Sequence, residues 1–269
     1  MLFLFLISLL ILAGVWAFFV EPYMIKVEKL TLLLEKENLP PSFKNLKFVH
    51  LTDLHSKNFG KKEKKVLDIL DQLKPDFIFI TGDIVDWTTR NFKSCQRFWH
   101  ELTKNYQGRV FAVFGNHEHL NPRFKELLPL LRESGIEVLN NQAKEITIKE
   151  VSFYLIGVDD PHFGYDDIEK AMQGVGNEGV KILLAHSPEI FRKVKGKNIN
   201  VVLTGHTHAG QVNIPLLVDL ILPLKYDRKY KKGLFKEKNT YLYVNRGIGT
   251  TILPVRFNSL PEITLINFK

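Results

Sequence analysis

From Leu46 onward the chain alternates short apolar runs with longer amphipathic stretches. The runs at 47–52, 76–81, 109–114, 181–185 and 200–204 are rich in β-branched and aromatic residues. Runs of that length and make-up predict strands buried on both faces. Between them, 62–73 places Val66, Ile69, Leu70 and Leu73 at helical spacing and ends before Lys74-Pro75. Stretches 91–106 and 122–134 read the same way, the second opening on Asn121-Pro122 as cap and first-turn residue. Alternating strand and helix predicts an α/β protein. Further strand signals at 151–158, 240–245 and 263–268 predict a second sheet packed on the first. No linker, repeat or low-complexity stretch interrupts this pattern, so 23–269 is expected to be one domain.

Residues 2–20 follow a different pattern, uncharged and almost wholly apolar. At about 1.5 Å per residue such a helix can cross a hydrocarbon core of about 30 Å. A cleaved signal peptide would need a basic start and a small-x-small site, and neither precedes Glu21-Pro22. An apolar surface on all sides also argues against a buried core helix. Residues 1–22 are therefore expected to be a membrane anchor. No Lys or Arg precedes the span, whereas Lys26 and Lys29 follow it. That bias places the remainder on the cytoplasmic side of the inner (cytoplasmic) membrane.

Composition narrows the class. With 269 residues, 45% of them hydrophobic, the chain can bury a substantial core, which excludes a disordered or fibrous protein. A single cysteine, Cys95, excludes an internal disulfide framework. The net charge of +8 raises nucleic acid and anionic lipid as partners. No contiguous basic-aromatic stripe supports nucleic acid. Lys61, Lys62, Lys64 and Lys65 read as a solvated helix face. The second cluster, Lys225 through Arg228, Lys229, Lys231, Lys232, Lys236 and Lys238, is either plain surface charge or a contact for an anionic substrate or headgroup.

Chemistry gathers where the strands end. The five runs lead into Asp53-Leu-His55, Gly82-Asp83, Gly115-Asn116-His117, His186 and Gly205-His206-Thr-His208. Carboxylate, imidazole and amide oxygen form a donor set suited to Mn, Fe or Zn rather than to Ca or a thiolate-bound zinc. Two divalent cations about 3.5–4 Å apart need a bridging carboxylate and can clamp a phosphoryl group. Each motif is weak alone; five in order, each at the end of a predicted strand, are specific. Of the remaining histidines, His50 reads as structural, His100 as surface, and His119 and His162 as neighbours of the cleft.

The motif set resembles the calcineurin-like metallophosphoesterase superfamily, whose blocks read D-x-H, G-D-x-x-D, G-N-H-[DE], H and G-H-x-H. Here they stand as Asp53-Leu-His55, Gly82-Asp83-Ile-Val-Asp86, Gly115-Asn116-His117-Glu118, His186 and Gly205-His206-Thr207-His208. The resemblance implies a four-layer α-β-β-α sandwich, here preceded by one transmembrane helix. It also implies two divalent metal ions, manganese first and iron or zinc as alternatives. Asp53, His55 and His208 would hold one; Asn116, His186 and His206 the other; Asp83 would bridge. His117 would protonate the leaving oxygen, with Asp86 orienting its imidazole.

A closer likeness covers almost the whole chain. Glu21-Pro22-Tyr23 after the anchor, Tyr226-x-Arg228-x-Tyr230-x-x-Gly233-Leu234, Asn245-Arg246-Gly-x-Gly249 and Pro254-Val255-Arg256-Phe257 are similar to the membrane-associated bacterial branch. That branch includes proteins resembling the UDP-2,3-diacylglucosamine hydrolase of lipid A synthesis. Ala209 stands where it commonly has a second Gly, and His186-Ser187-Pro188 where it has His-Asn-Pro; neither change removes a ligand. The likeness implies hydrolysis of a phosphodiester or pyrophosphate bond, of a lipid-linked nucleotide in the narrower reading. The alternatives are a generic phosphodiesterase, phosphomonoesterase or nuclease whose anchor only localises it. Arg228, Arg246 and Arg256 are candidates to fork onto substrate phosphate, with structural roles in turns the alternative for the last two.

Overall fold

The computed structural model describes residues 1–34, 41–148, 151–214, 223–224 and 229–269. Its strands are β1 (Lys26–Leu32), β2 (Phe48–Leu51), β3 (Phe77–Thr81), β4 (Val110–Val113), β5 (Glu137–Val138), β6 (Gln142–Ile148), β7 (Val151–Gly157), β8 (Val180–Leu184), β9 (Val201–Thr204), β10 (Gly233–Glu237), β11 (Thr240–Val244) and β12 (Glu262–Phe268). They form two six-stranded sheets, ordered β1-β12-β2-β3-β4-β5 and β10-β11-β9-β8-β7-β6.

Side-chain alternation explains how the sheets stack. In β2 and β3, Phe48, Phe77 and Phe79 enter the core between the sheets, while Val49, Leu51, Ile78 and Ile80 face the opposite way. Successive strand residues point to opposite faces, so one run can serve two cores. Phe43, Phe111, Phe153 and Phe268 complete the aromatic layer, with ring centroids such as Phe43–Phe268 only 5.0 Å apart. The outer face of the first sheet packs on helices Lys61–Leu73, Lys93–Thr103 and Phe124–Glu133. The outer face of the second packs on the short helices Ile168–Ala171 and Phe191–Val194. This is the four-layer α-β-β-α arrangement.

Two expectations are corrected. The 263–268 segment does not join the second sheet: β12 lies between β1 and β2 in the first, parallel to β1 and antiparallel to β2. Its residues Ile266 and Phe268 reach the inter-sheet core from the first sheet's side. The helix expected from Asn121-Pro122 starts later, at Phe124, because Asn121 Oδ1 accepts the Arg123 N–H at 2.9 Å and holds the chain in a turn. Cys95 is buried, and burial pushes its thiol up to about 11.

The N-terminal stretch is helical from Leu2 to Tyr23, with a π-helical turn at Trp16–Val20. Its mean hydropathy is 2.7, and it is long and apolar enough to span a membrane. The π turn leaves the Ala17 carbonyl to accept the Arg256 N–H at 3.0 Å. Its far end is tied down as Ser259 N–H donates to Glu21 Oε1 at 2.7 Å.

Candidate metal centre

Parallel pairing brings the motif loops to one edge. β2, β3 and β4 run parallel in the first sheet, and β8 and β9 in the second, so their carboxyl ends lie together. The turns that leave these strands are unusual: Asp53, His55, Asp83, His206 and His208 have φ of 50°, 43°, 50°, 69° and 48°. Such left-handed conformations cost non-glycine residues about 1–3 kcal/mol each and persist only where surroundings enforce them. Backbone bonds do so here: Asp53 N–H donates to Gly82 O at 3.1 Å, His55 N–H to Asp83 O at 2.9 Å, and Gly249 N–H to Asp53 O at 2.6 Å. Glycines permit the closeness. A Cβ at Gly205 would lie 2.1 Å from Thr52 Oγ1, and one at Gly115 would lie 2.4 Å from Asp83 Oδ1.

The side chains converge on two adjoining points. At one, His55 Nε2 and His208 Nε2 are 3.1 Å apart, with Asp53 Oδ1 3.3 Å from His208 Nε2. At the other, His186 Nε2 lies 3.0 Å from Asn116 Oδ1 and 3.1 Å from His206 Nδ1. Asp83 Oδ2 stands between, 3.6 Å from His55 Nε2 and 3.3 Å from His186 Nε2. All seven expected ligands are thus brought together.

Hydrogen bonds behind the rings set which nitrogens face inward. His186 Nδ1 lies 2.8 Å from the Thr81 carbonyl, so it donates there and turns Nε2 inward. His206 Nε2 lies 3.2 Å from the Pro223 carbonyl, which leaves Nδ1 as the inward lone pair. Such outer partners fix tautomer and orientation in metal sites. Asp53 Oδ1 is buried with no hydrogen-bond partner among the described residues. A buried carboxylate oxygen without a donor, facing imidazole lone pairs, fits a divalent cation.

Electrostatics agree except at His186: burial works against its charge, but the Asp83 and Asp53 carboxylates hold it well above the ordinary histidine value, so a bound cation would take the place of that proton. Burial, against the pull of His186 and with Asp83 adding to it, pushes Asp53 up to about 6. Burial works against charge on Asp83 too, but His186, His117 and His55 together hold it well below the usual carboxylate range. Burial pushes His55, His206 and His208 well below the ordinary histidine value, leaving the neutral imidazoles that ligation requires.

His117 sits beside the cluster, with Nε2 3.9 Å from Asp83 Oδ2 and 3.3 Å from Thr251 Oγ1. Its Nδ1 accepts the Trp87 N–H at 3.3 Å. Asp86 is not bonded to it: Asp86 Oδ2 stands 3.9 Å from His117 Nδ1 and 3.8 Å from His55 Nδ1, a charge shared by two rings. The Trp87 amide is thus the direct hydrogen-bond partner of this ring, with the Asp86 carboxylate as a charge beside it.

Two of the three candidate arginines take the structural alternative. Arg256 is fully buried, its guanidinium donating to the carbonyls of Gly249, Ser259, Arg246 and Gly247 at 2.6–3.1 Å. Arg246 is paired with Glu262 at 2.5 Å and Glu28 at 3.4 Å. Both hold turns together, because a guanidinium buried among carbonyls and carboxylates has few donors left for a substrate. Arg228 lies outside the described residues.

Glu118 had no assigned role, yet it ties the loops together. It is wholly buried, and its carboxyl accepts the N–H groups of Asp83, Gly115 and Val85 at 2.8, 2.7 and 3.0 Å. The acidic residue closing the Gly-Asn-His block was the available signal. His50 is buried beside Thr81, its Nε2 2.7 Å from Thr81 Oγ1. His119 pairs with Asp159 at 2.6 Å, and the His162 ring lies 4.7 Å from that of His206, so His162 flanks the centre. His100 is exposed on its helix.

A cavity of about 360 Å³ opens onto the centre. Its lining combines Asp83, Asn116, His117, His206 and His208 with the apolar Val212, Ile252, Leu253 and Val255.

Comparison with known proteins gives the same picture. The model of the calcineurin-like phosphoesterase family matches residues 46–210. An uncharacterized metallophosphoesterase of Bacillus subtilis, YkuE, is 31% identical over 94% of this chain and 89% of its own. The phosphodiesterase YaeI of Escherichia coli is 29% identical over 91% of this chain and 89% of its own. A Danio rerio transmembrane protein with a metallophosphoesterase domain is 32% identical over 87% of this chain and 55% of its own.

Proposed function

The chain belongs to the calcineurin-like phosphoesterase family, a metal-dependent phosphoester hydrolase, and on that premise we propose that it is a membrane-anchored dinuclear phosphodiesterase. Residues 1–22 form the anchor and 23–269 the catalytic part, on the cytoplasmic side of the inner membrane. The reading rests above all on one observation: two sets of inward-facing nitrogen and oxygen donors joined by the single carboxylate of Asp83.

Asp53, His55 and His208 would hold one cation and Asn116, His186 and His206 the other, with Asp83 shared; manganese is proposed first, iron or zinc as alternatives. When bound, such a pair supplies charge that neutralises a phosphoryl group and acidifies water. His117 supplies the proton. Its Nε2 faces the cavity; in the imidazolium form, with Nδ1–H turned to the Asp86 carboxylate 3.9 Å away, Nε2 gives its proton to the leaving oxygen and the ring returns to the neutral form whose Nδ1 accepts the Trp87 N–H. Glu118 and the backbone bonds of the left-handed turns keep the donors in place, so little reorganisation is needed on binding. No side chain need become covalently attached to phosphorus.

The apolar residues that share the cavity with the metal donors support an amphiphilic phosphoester, and a lipid-linked nucleotide such as UDP-2,3-diacylglucosamine is the narrower reading. YaeI bears the name phosphodiesterase, which favours a diester over a monoester. Nucleic acid is not proposed as substrate.

The test is full-length enzyme with Mn²⁺, Fe²⁺ or Zn²⁺, offered bis(p-nitrophenyl) phosphate, p-nitrophenyl phosphate and UDP-2,3-diacylglucosamine. Metal-dependent cleavage of the diester is expected. Failure on every ester with every metal overturns the enzymatic reading, whereas failure on the lipid nucleotide alone removes only the narrower one.

A further inference from the structure

We propose that the 250–254 loop is a bilayer-inserting loop that sets the mouth of the metal cleft in the lipid headgroup layer, so that the phosphoester is taken from the membrane plane. The inference deepens the reading above and rests on residues 1–22 being an anchor.

The loop presents its apolar side chains outward. Ile252 is 91% exposed and Leu253 57% exposed. Ile252 also has φ of 61°, a region that β-branched residues hardly ever occupy. Gln211 clamps the chain on either side of it: its Nε2 donates to the carbonyls of Thr251 and Leu253 at 3.0 and 2.9 Å, and its Oε1 accepts the Thr251 N–H at 2.8 Å. A clamp that forces an isoleucine into a strained conformation and away from the core calls for something apolar outside.

The adjoining helix says what that is. Phe18 shares the wall of one cavity with Ile252, Leu253 and Pro254, and two residues after Pro254 the Arg256 N–H is bonded to Ala17 O. Residues 17 and 18 lie about one helical turn, roughly 5 Å, to the lipid side of Glu21. If the span lies in hydrocarbon, the loop tip, which shares a cavity wall with its last turns, lies at the same depth. Phe18 and Phe19 are themselves 43% and 72% exposed.

Charge is arranged to match. Lys57, Lys61 and Lys62 line the same cavity as Phe18 and Ile252, and Lys65 Nζ reaches the Tyr23 carbonyl at 2.9 Å. Of the lysines that the sequence presented as a plain solvated face, Lys61 and Lys65 therefore stand where the helix would leave the bilayer, at the level of anionic headgroups, while Lys62 turns its ammonium inward to the Leu54 carbonyl at 2.6 Å. Thr251, Ile252 and Leu253 also line the cavity over Asp83 and His117, so the same loop borders both lipid and metal centre.

The experiment uses the full chain reconstituted in phosphatidylcholine–phosphatidylglycerol vesicles, with Ile252→Cys carrying an NBD fluorophore and nitroxide-labelled acyl chains as quencher. Cys95 is buried and stays unlabelled. Labels at Phe19→Cys and at Asn239→Cys, in the turn at the opposite end of β11, serve as references; Leu253→Cys replaces Ile252→Cys if the latter does not fold. Blue-shifted emission and at least twofold quenching are expected at 252 and 19 but not at 239. Water-like emission at 252 with quenching at 19 overturns the loop insertion alone. Blue-shifted emission at 252 without lipid quenching overturns it in favour of a second copy or a soluble partner. Absence of quenching at both 252 and 19 overturns the anchor reading with it.

Discussion

Two histidines show how the environment assigns opposite duties to one residue type. His117 keeps one nitrogen on the Trp87 amide and turns the other to the cleft, among the metal donors but outside the seven proposed ligands. Replacing it with alanine should leave the bound-metal stoichiometry unchanged while lowering kcat by about 10²–10⁴-fold, the usual contribution of a general acid. Full activity in that variant, with metal content measured alongside, would mean that another group supplies the proton. His50, by contrast, is sealed in the inter-sheet layer, and burial lowers its pKa to about 3. Its folded value lies below its unfolded value, so between about pH 6.5 and pH 3 the unfolded chain binds a proton that the folded one does not. Stability is then complete above pH 6.5 and falls as pH drops, with a limiting slope of about 1.4 kcal/mol per unit. His50→Gln should flatten that slope in urea titrations of the metal-free protein from pH 7 to pH 4. An unchanged slope would place the acid sensitivity elsewhere.

At the level of elements, the strand-end turns carry the site, and glycine decides how closely they approach. The end of β9 runs against the Thr52–Asp53 turn after β2, with Gly205 at the crossing. A methyl group there would meet Thr52 Oγ1 at 2.1 Å and Asp53 Oδ2 at 2.3 Å, so one turn has to move. Gly205→Ala should cost about 1–3 kcal/mol as an overpacked position. It should also lower metal occupancy, because Asp53 and the His206 amide, bonded at 3.0 Å, would be pushed apart. Wild-type stability and full occupancy, read by denaturation and metal analysis, would show that the turns can separate without harm. The left-handed turns at Asp53, His55, Asp83, His206 and His208 act with this close approach, storing strain that the backbone bonds hold in place.

For the molecule as a whole, the centre joins two sheets that otherwise meet through aromatic packing. Asp53, Asp83 and Asn116 come from the first sheet, His186, His206 and His208 from the second. Cations bound across that seam stabilise the folded state over the unfolded one by mass action, by about 2.7 kcal/mol at a hundredfold excess over Kd. Chelation should therefore lower Tm by several degrees, and re-addition of Mn²⁺ should restore it. An identical Tm with EDTA and with Mn²⁺ would mean that the folded chain does not hold metal at this seam.

The sequence by itself determined the parts whose physics is local. Apolar runs such as 76–81 and 109–114 read as strands because burial on both faces leaves no other composition, and the uniformly apolar 2–20 stretch reads as a spanning helix for a related reason. The proposed ligand set was legible because each member follows such a run. β1 and β6, with mixed polar and apolar faces, carried no comparable signal. Only the tertiary structure decided which sheet β12 joins, since strand pairing is a contact between distant segments that composition does not encode. It likewise decided that Arg256 spends its donors on carbonyls, that the Trp87 amide bonds the His117 ring, and that Glu118 laces three loops together. It also set Ile252 beside Phe18, more than two hundred residues apart in the chain, where loop and helix form one apolar border. Hydrogen-bond partners and neighbours of this kind are set by where the backbone returns, not by the residue type at the position.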